Sequence, residues 1–283
     1  MLLCESKVER YRGRMSGVET LKLAEAAFAA KDYAAALPLC ERALSQGLDL
    51  GAYESERGEY WPHPEISQCE LVWGMSLHEL GQSDAALPHL DRAVALDIEN
   101  YQTWANRGHV HRERGELDLA IADLSRSLKR MPSYAFALFR RAQCYVTLGQ
   151  GAAAEQDLEG ILTPNPYDEA PFALWQSLRE ARGAPSDRHA LPAPQDWLAL
   201  FNRALAFSTH GELARAIADY DAAYAITPQP IIRAYRGQTQ HQLGNLELAQ
   251  ADLEAYLVTD PKSEPTRVAL ADVQAKLAAR GAP

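Results

Sequence analysis

Small residues recur at fixed intervals along the chain, and the intervals predict pairs of helices. Gly81, Gly115 and Gly149 are 34 residues apart, and Gly211 and Gly244 are 33 apart. An alanine stands five residues after each of these glycines, and a glycine or alanine stands seven residues before. Helices that carry only small side chains where they cross can pack closely. The pattern therefore predicts antiparallel helix pairs, each turning at a glycine.

Prolines mark the far end of each predicted pair. Pro132, Pro166, Pro228 and Pro261 each follow a turn glycine by 17 residues. Because proline lacks the backbone N–H that continues a helix, it ends the second helix there. A unit of 33 or 34 residues that repeats in this way is typical of a solenoid, in which each unit buries its apolar face against its neighbours.

The pattern resembles the tetratricopeptide repeat (TPR), a helical hairpin of about 34 residues. Its clearest instance, residues 101–134, has matching residues at Trp104, Gly108, Gly115, Ala120, Leu124 and Pro132. The resemblance implies an all-α, right-handed superhelical solenoid of about six repeats, a half-repeat and a C-terminal capping helix. The chain departs from the family pattern at Lys31, which replaces the first turn glycine, and at His111 and Gln240, which replace a packing aromatic.

The repeats are predicted to form two arrays. The N-terminal array, residues 17–182, is assigned repeats at 17–50, 67–100, 101–134 and 135–168, a half-repeat at 169–183 and an insert at 51–66. Three prolines predict a linker over residues 184–196. The C-terminal array, residues 197–280, is assigned repeats at 197–230 and 230–263.

The two ends of the chain are predicted separately. The last helix, 264–280, is expected to cap the array with Val268, Val273 and Leu277 facing inward, since a terminal repeat needs a polar outer face. Residues 1–16 are expected to be a disordered leader or to reflect a mis-called start, because Met15 stands directly before a Ser16–Glu19 capping box.

Composition supports helix and excludes several classes of protein. The 283 residues include 48 Ala against 26 Val, Ile and Thr together, which favours helix over sheet. A net charge of −10 disfavours binding to nucleic acid or to an anionic membrane surface. The four cysteines form no CxxC motif, and the first residues lack the apolar core of a secretory signal. Free thiols and a cytoplasmic location are therefore predicted.

An arginine and an aspartate recur 16 residues apart. Because each turn falls midway between them, the two side chains are expected to meet across the hairpin and to form structural ion pairs rather than a catalytic array. The predicted pairs are Arg107 with Asp123, Arg141 with Asp157, Arg203 with Asp219, and Arg236 with Asp252.

The resemblance to TPR proteins implies that the first helices line a concave groove. Residues spaced by three and four positions share one face of a helix, so the groove-facing side chains can be assigned. The predicted partner-binding residues are Met75, His78, Asn106, His109, Arg112, Phe136, Phe139, Arg140, Gln143, Phe201, Asn202 and Gln238. The alternative for the two phenylalanines at 136 and 139 is packing beneath the neighbouring repeat.

The kind of ligand is narrowed by the same resemblance. TPR proteins that clamp a C-terminal carboxylate use five polar positions, of which Asn106 and Arg140 match two. Leu71, Met75 and Phe136 replace the other three. A peptide or helix of mixed apolar and polar character is therefore the better prediction.

The insert supplies a second, weaker candidate surface. Tyr60, Trp61 and His63 stand beside Pro62 and Pro64 there, and loops often carry function. The alternative is that Trp61 folds back over the seam between the first two repeats.

Three functions remain open on the sequence. The first is a non-enzymatic adaptor or scaffold that binds a protein or peptide partner, and the second is a dedicated chaperone or regulatory subunit for one client. The third is a small-molecule or metal-dependent enzyme, which the sequence disfavours because it has no GxGxxG, GxxxxGK[ST], GxSxG or HExxH motif. His109 and His111 face different directions, so no metal site and no cofactor are predicted.

Overall fold

A computed structural model describes residues 16–46, 48 and 64–280. The leader at 1–15 and the loop residues Tyr60, Trp61 and His63 lie outside the described residues. Within them the regular structure is helical throughout, which confirms the all-α prediction. The helices are α1 (Gly17–Ala29), α2 (Tyr33–Ser45), α3 (Pro64–Glu79), α4 (Ser83–Leu96), α5 (Tyr101–Glu113), α6 (Leu117–Arg130), α7 (Ala135–Thr147), α8 (Gly151–Leu162), α9 (Glu169–Glu180), α10 (Trp197–Thr209), α11 (Leu213–Ile226), α12 (Pro230–Leu243), α13 (Leu246–Thr259) and α14 (Glu264–Arg280), with one 3-10 turn at Arg188–Ala190.

Each hairpin turns through one residue with a positive φ angle. Gly115 has φ 77°, and the N–H of Glu116 donates to the carbonyl of His111, which satisfies one of the last carbonyls of α5. The first hairpin makes the same turn through Lys31 at φ 62°. A side chain in the left-handed region costs roughly 1 kcal/mol, so Lys31 is strained where glycine would not be.

The small residues before the turns allow the two helices to approach closely. A Cβ atom added to Gly108 would lie 2.9 Å from the Cγ atom of Leu124, and one added to Gly74 would lie 2.8 Å from that of Leu90. Real Cβ atoms essentially never come so near, so these glycines are required by the crossing and not by the turn. These distances show the close crossing of the two helices that the small residues predict.

The chain divides into two compact units between Gln150 and Gly151. In the first unit, α1 to α7 follow one another as neighbouring hairpins, and each first helix also touches the next one, so α1, α3, α5 and α7 form a continuous row. In the second unit, the hairpins α10–α11 and α12–α13 are followed by α14. Residues 184–196 lie inside the second unit. The predicted division into two arrays remains a prediction.

The last helix covers the end of the second unit with a stripe of apolar residues. Val273 is fully buried against Leu246, Ala249 and Leu253 of α13. Val268 was expected to face inward, and this was wrong, because it is 60% exposed. The buried stripe runs through positions 266, 270, 273 and 277, whose spacing keeps one helical face, and position 268 lies off that face.

Candidate functional site

The row formed by α1, α3, α5 and α7 carries most of the predicted groove residues. Near its start lies a pocket of about 230 Å³ whose walls are mainly apolar. Met75 is buried there, while the side-chain amide of Asn106 lies at the rim and donates to the carbonyl of Gln102 at 2.9 Å. The lining residues are Glu25, Phe28, Gln68, Leu71, Val72, Met75 and Asn106.

Three rings cross this row from one helix to the next. His78 of α3 meets His109 of α5 edge to face, with centroids 5.3 Å apart. His109 in turn meets Phe136 of α7 edge to face at 5.7 Å. The guanidinium of Arg140 lies 5.1 Å from the centroid of Phe136. The structure therefore brings together four predicted side chains from three neighbouring repeats.

Beside these rings lie buried nitrogen atoms that have no hydrogen-bond partner. They are Nδ1 of His109, Nε of Arg112 and Nε of Arg140. The nearest carboxylate to the imidazole is that of Glu113, with Oε1 4.0 Å from Nδ1, which is too far for a hydrogen bond. Buried polar groups are nearly always paired, so three unpaired nitrogens at one place are an unusual feature of the first unit.

The charges around the rings keep His109 neutral. Burial first, and then the positive charges of Arg140 and Arg112 and the neighbouring His78, lower the pKa of His109 to about 3. Burial and Arg112 also lower the pKa of Arg140, against the opposing effect of Glu113 and Glu79. Nη2 of Arg112 contacts the carboxylate of Glu113, whose side chain is half-exposed. The first unit thus holds two close guanidinium groups beside one carboxylate in partly dry surroundings, where a second negative charge is favourable.

The remaining predicted groove residues lie on α7 of the first unit or on α10 and α12 of the second unit. Phe139 is half-buried, and Gln143 accepts a hydrogen bond from Arg140 at 3.2 Å. Phe201 belongs to the second unit, where it packs against Tyr220 and Tyr235 at centroid distances of 5.7 and 5.2 Å. Asn202 is exposed and Gln238 half-buried on α10 and α12 of that unit.

The recurring arginines and aspartates meet across their hairpins. Nε and Nη2 of Arg107 donate to the two carboxylate oxygens of Asp123 at 2.6 and 2.9 Å. The same two-point contact joins Arg203 to Asp219 and Arg236 to Asp252. Arg141 lies in the first unit and Asp157 in the second, and their pairing remains a prediction.

The guanidinium group of each of these arginines also contacts the segment of the chain that precedes its own hairpin. Nη1 of Arg107 donates to Asp91 of α4 at 2.8 Å, and Nη1 of Arg236 contacts Asp221 of α11. Nη1 of Arg141 donates to the hydroxyl of Ser125 on α6 at 3.0 Å. One guanidinium therefore joins its own hairpin to the one before it.

A buried carboxylate escaped the sequence analysis. Glu70 of α3 is fully buried, with Oε2 2.7 Å from Nδ1 of His89 and Oε1 3.0 Å from Arg92. Trp73 stacks on His89 at 4.5 Å. Trp73 and His89 are 16 residues apart and occupy the positions that the arginine and the aspartate have in the other repeats. This spacing could have predicted that the two rings meet, and the carboxylate of Glu70 lies beside His89.

The described residues contain neither a metal-binding cluster nor a membrane-spanning helix. No group of three or more His, Cys, Asp or Glu side chains within them could hold a metal ion. None of the helices in the same ranges is both long and apolar enough to cross a membrane.

The successive hairpins, their turn glycines and their tightly crossed small residues define a helical-repeat protein. The family model "Tetratricopeptide repeat" matches residues 71–135, 105–169 and 174–230, which is more than half of the chain. The chain therefore belongs to the tetratricopeptide repeat family.

Two curated relatives match the chain, and one of them is a co-chaperone by name. The Fusarium oxysporum protein "Tetratricopeptide repeat and J domain-containing co-chaperone DNJ1" is 26% identical over 191 residues, which cover 62% of this chain and 36% of that protein. "DnaJ homolog subfamily C member 3" of Gallus gallus is 26% identical over 214 residues, which cover 68% of this chain and 42% of the relative. The match thus spans well under half of either relative.

Among solved structures, a tetratricopeptide repeat protein from Parabacteroides merdae superimposes with a TM-score of 0.48 at 21% identity. The alignment covers 90% of this chain and 98% of that one.

Proposed function

We propose that this protein is a non-enzymatic adaptor that binds a segment of a partner protein on the row of first helices in its first unit. The segment carries an acidic side chain close to one or two apolar side chains. Its contacts are with Met75, His78, Asn106, His109, Arg112, Phe136, Phe139, Arg140 and Gln143. Further contacts of the same kind are proposed for the second unit through Phe201, Asn202 and Gln238.

The observation that carries the proposal is the set of unpaired buried nitrogens on His109, Arg112 and Arg140. A partner carboxylate accepts hydrogen bonds from the arginines in this partly dry place, where charge-assisted bonds are strong. His109 is neutral and offers its ring to an apolar neighbour. Arg140, which lies over Phe136, is already oriented for the contact.

The apolar part of the segment fits the neighbouring pocket of about 230 Å³ beside Phe28, Leu71 and Met75. Burial of one leucine-sized side chain there contributes about 2 kcal/mol to binding. The charged and apolar positions lie on adjacent helices of one row, so one continuous segment reaches both. An aromatic or arginine contact surrounded by apolar surface is the usual composition of an interaction hot spot.

The test is selection of binders from a random peptide library, followed by fluorescence titration of the enriched peptides. We expect enrichment of an acidic residue near leucine, methionine or phenylalanine. Arg140→Gln should weaken binding of these peptides about tenfold, the worth of one charge-assisted hydrogen bond. Arg130→Gln removes the same charge from a half-exposed side chain on α6 and should change binding less than about twofold.

Two results would overturn the proposal. The first is a library that yields no enriched motif. The second is an enriched motif whose binding responds equally to Arg140→Gln and to Arg130→Gln. Circular dichroism of both variants ensures that a folded protein is being compared.

A second candidate is a dedicated chaperone or regulatory subunit for one client, and the co-chaperone name of the Fusarium oxysporum relative supports it. A client of this kind is unstable alone, whereas the partner of an adaptor is stable. Light scattering of an aggregating client at stoichiometric amounts of this protein separates the two. Suppression that is lost in Arg140→Gln favours the chaperone, and no effect on any captured partner excludes it.

A further inference from the structure

The repeat pattern is broken at α9, and an irregular segment takes the place of a helix. α9 is followed by residues 184–196 instead of a second helix, and only a short 3-10 turn forms there, at Arg188–Ala190. Nη1 of Arg203 donates to the carbonyl of Pro192 at 3.4 Å, whereas Nη1 of Arg107 reaches the second helix of the preceding hairpin. The segment is packed in place, since Leu191 is only 8% exposed.

Because the irregular segment fills less space than a helix, a cavity of about 290 Å³ remains between the segment and the hairpin α10–α11. The apolar residues of its lining are Pro166, Leu191, Ala193, Phe207 and Ala218. The charged residues of the lining are Arg188, Arg203, Arg215 and Asp219. The lining thus carries three positive charges and one negative charge, in a chain whose net charge is −10.

The arginines differ in how firmly they are held. Arg203 is bound at two points by Asp219, so these two charges cancel within the lining. Nε of Arg188 donates to the carbonyl of Pro166 at 3.1 Å, and Nη2 donates to Glu169, whose side chain is 81% exposed. The guanidinium also lies 4.1 Å from the centroid of Phe172. Arg215 contacts Glu212 on its own helix at 3.3 Å. Exposed ion pairs of this kind are worth little and exchange readily for a better anion.

We propose that this cavity binds a small organic phosphate, with the phosphate between Arg188 and Arg215 and a flat apolar group against Phe207. Guanidinium groups match phosphate oxygens in charge and geometry. Arg203 and Arg215 lie 5.6 and 5.9 Å from the centroid of Phe207, so an apolar group on that ring sits directly beside the charged one. A cavity of this volume is at the lower limit of ligand sites, which suits a molecule of about ten heavy atoms.

The site is separate from the proposed partner-binding row, because all of its residues belong to the second unit. An experiment can therefore refute the phosphate site without refuting the adaptor function, and the reverse is also true.

Calorimetric titration of the full chain with phenyl phosphate tests the site. We expect saturable one-to-one binding by about 10 mM, the range of small ligands with few contacts. Inorganic phosphate, which lacks the apolar group, should bind at least about fivefold more weakly. Arg188→Gln and Arg215→Gln should each weaken phenyl phosphate about tenfold.

The matched control is Arg267→Gln, which removes the same charge from a half-exposed side chain on α14 and should change binding less than about twofold. Arg215→Gln alters a largely exposed side chain, so it keeps the test valid if Arg188→Gln does not fold. The proposal is overturned by the absence of saturable binding, by equal loss in Arg267→Gln, or by inorganic phosphate binding as tightly as phenyl phosphate.

Discussion

Removal of Asp123 tests whether the recurring ion pairs hold the hairpins together. The carboxylate is buried and takes two hydrogen bonds from Arg107, while Nε2 of His111 lies 3.9 Å from it. In Asp123→Ala the guanidinium keeps its contact with Asp91, whose side chain is 62% exposed, and its position 5.0 Å from the ring centroid of Trp104. Loss of one partner of a buried pair costs 3–5 kcal/mol, and the remaining contact places the expected loss at the lower end, about 3 kcal/mol.

The pKa of Arg107 also reflects the contact with Asp123. Burial opposes its charge, but the hydrogen bonds and charge of Asp123, followed by those of Asp91, raise the pKa of the guanidinium. Arginine is in any case always protonated in proteins, so the guanidinium stays charged when Asp123 is removed. An uncompensated buried charge, and not a neutralised one, is what destabilises the variant.

Urea unfolding followed by circular dichroism measures the loss, with Asp91→Ala as the matched control. That variant removes an exposed carboxylate from the same arginine and should cost less than about 1 kcal/mol. A loss below about 0.5 kcal/mol for Asp123→Ala would show that water compensates the arginine, and the ion pairs would then have no structural role.

Three further predictions concern single positions of the first unit. Lys31→Gly should raise the free energy of unfolding by about 1 kcal/mol, because it removes a side chain from a left-handed turn. Gly108→Ala should lower it by about 1–2 kcal/mol, since the new Cβ would meet Leu124 at 2.9 Å and overpacking exceeds the gain in helix propensity. The lowered pKa of His109 makes the folded state lose stability as pH falls below about 6.5 toward 3, by up to about 1.4 kcal/mol per pH unit. His109→Phe should flatten this dependence.

Each of these has a result that contradicts it. Urea midpoints measure the first two, and an unchanged midpoint in Lys31→Gly would mean that the turn tolerates a side chain without strain. A stabilised Gly108→Ala would mean that α5 and α6 separate easily. For His109, unfolding curves at pH 7 and pH 5 that shift equally in wild type and variant would show that the imidazole takes up a proton within the fold.

The turns and helix crossings were predictable because their causes are local. A glycine with positive φ and a small residue seven positions earlier report on one hairpin alone, and both lie within the sequence period. The spacing of 16 residues likewise led from Arg203 to Asp219, since the midpoint of a hairpin fixes which residues face each other.

What the sequence left undetermined depends on neighbours outside the period. His109 lies on the row of first helices, but its burial and neutrality depend on neighbours that include Phe136 and Arg140 of the next repeat. The irregular segment offered no periodicity from which to place Arg188 beside Phe172. Val268 shows the limit inside a helix, where one residue of offset moves a side chain from the core to solvent.

Nη1 of the recurring arginines couples the stability of each hairpin to that of the hairpin before it. Arg107 reaches Asp91, Arg141 reaches Ser125, and Arg236 contacts Asp221, so melting of one hairpin deprives the next arginine of a partner. In a linear array, such nearest-neighbour coupling suppresses partly melted species and makes adjacent repeats unfold cooperatively. A repeat transplanted from this chain into another array would therefore keep its shape but lose part of its stability, unless its preceding neighbour moved with it.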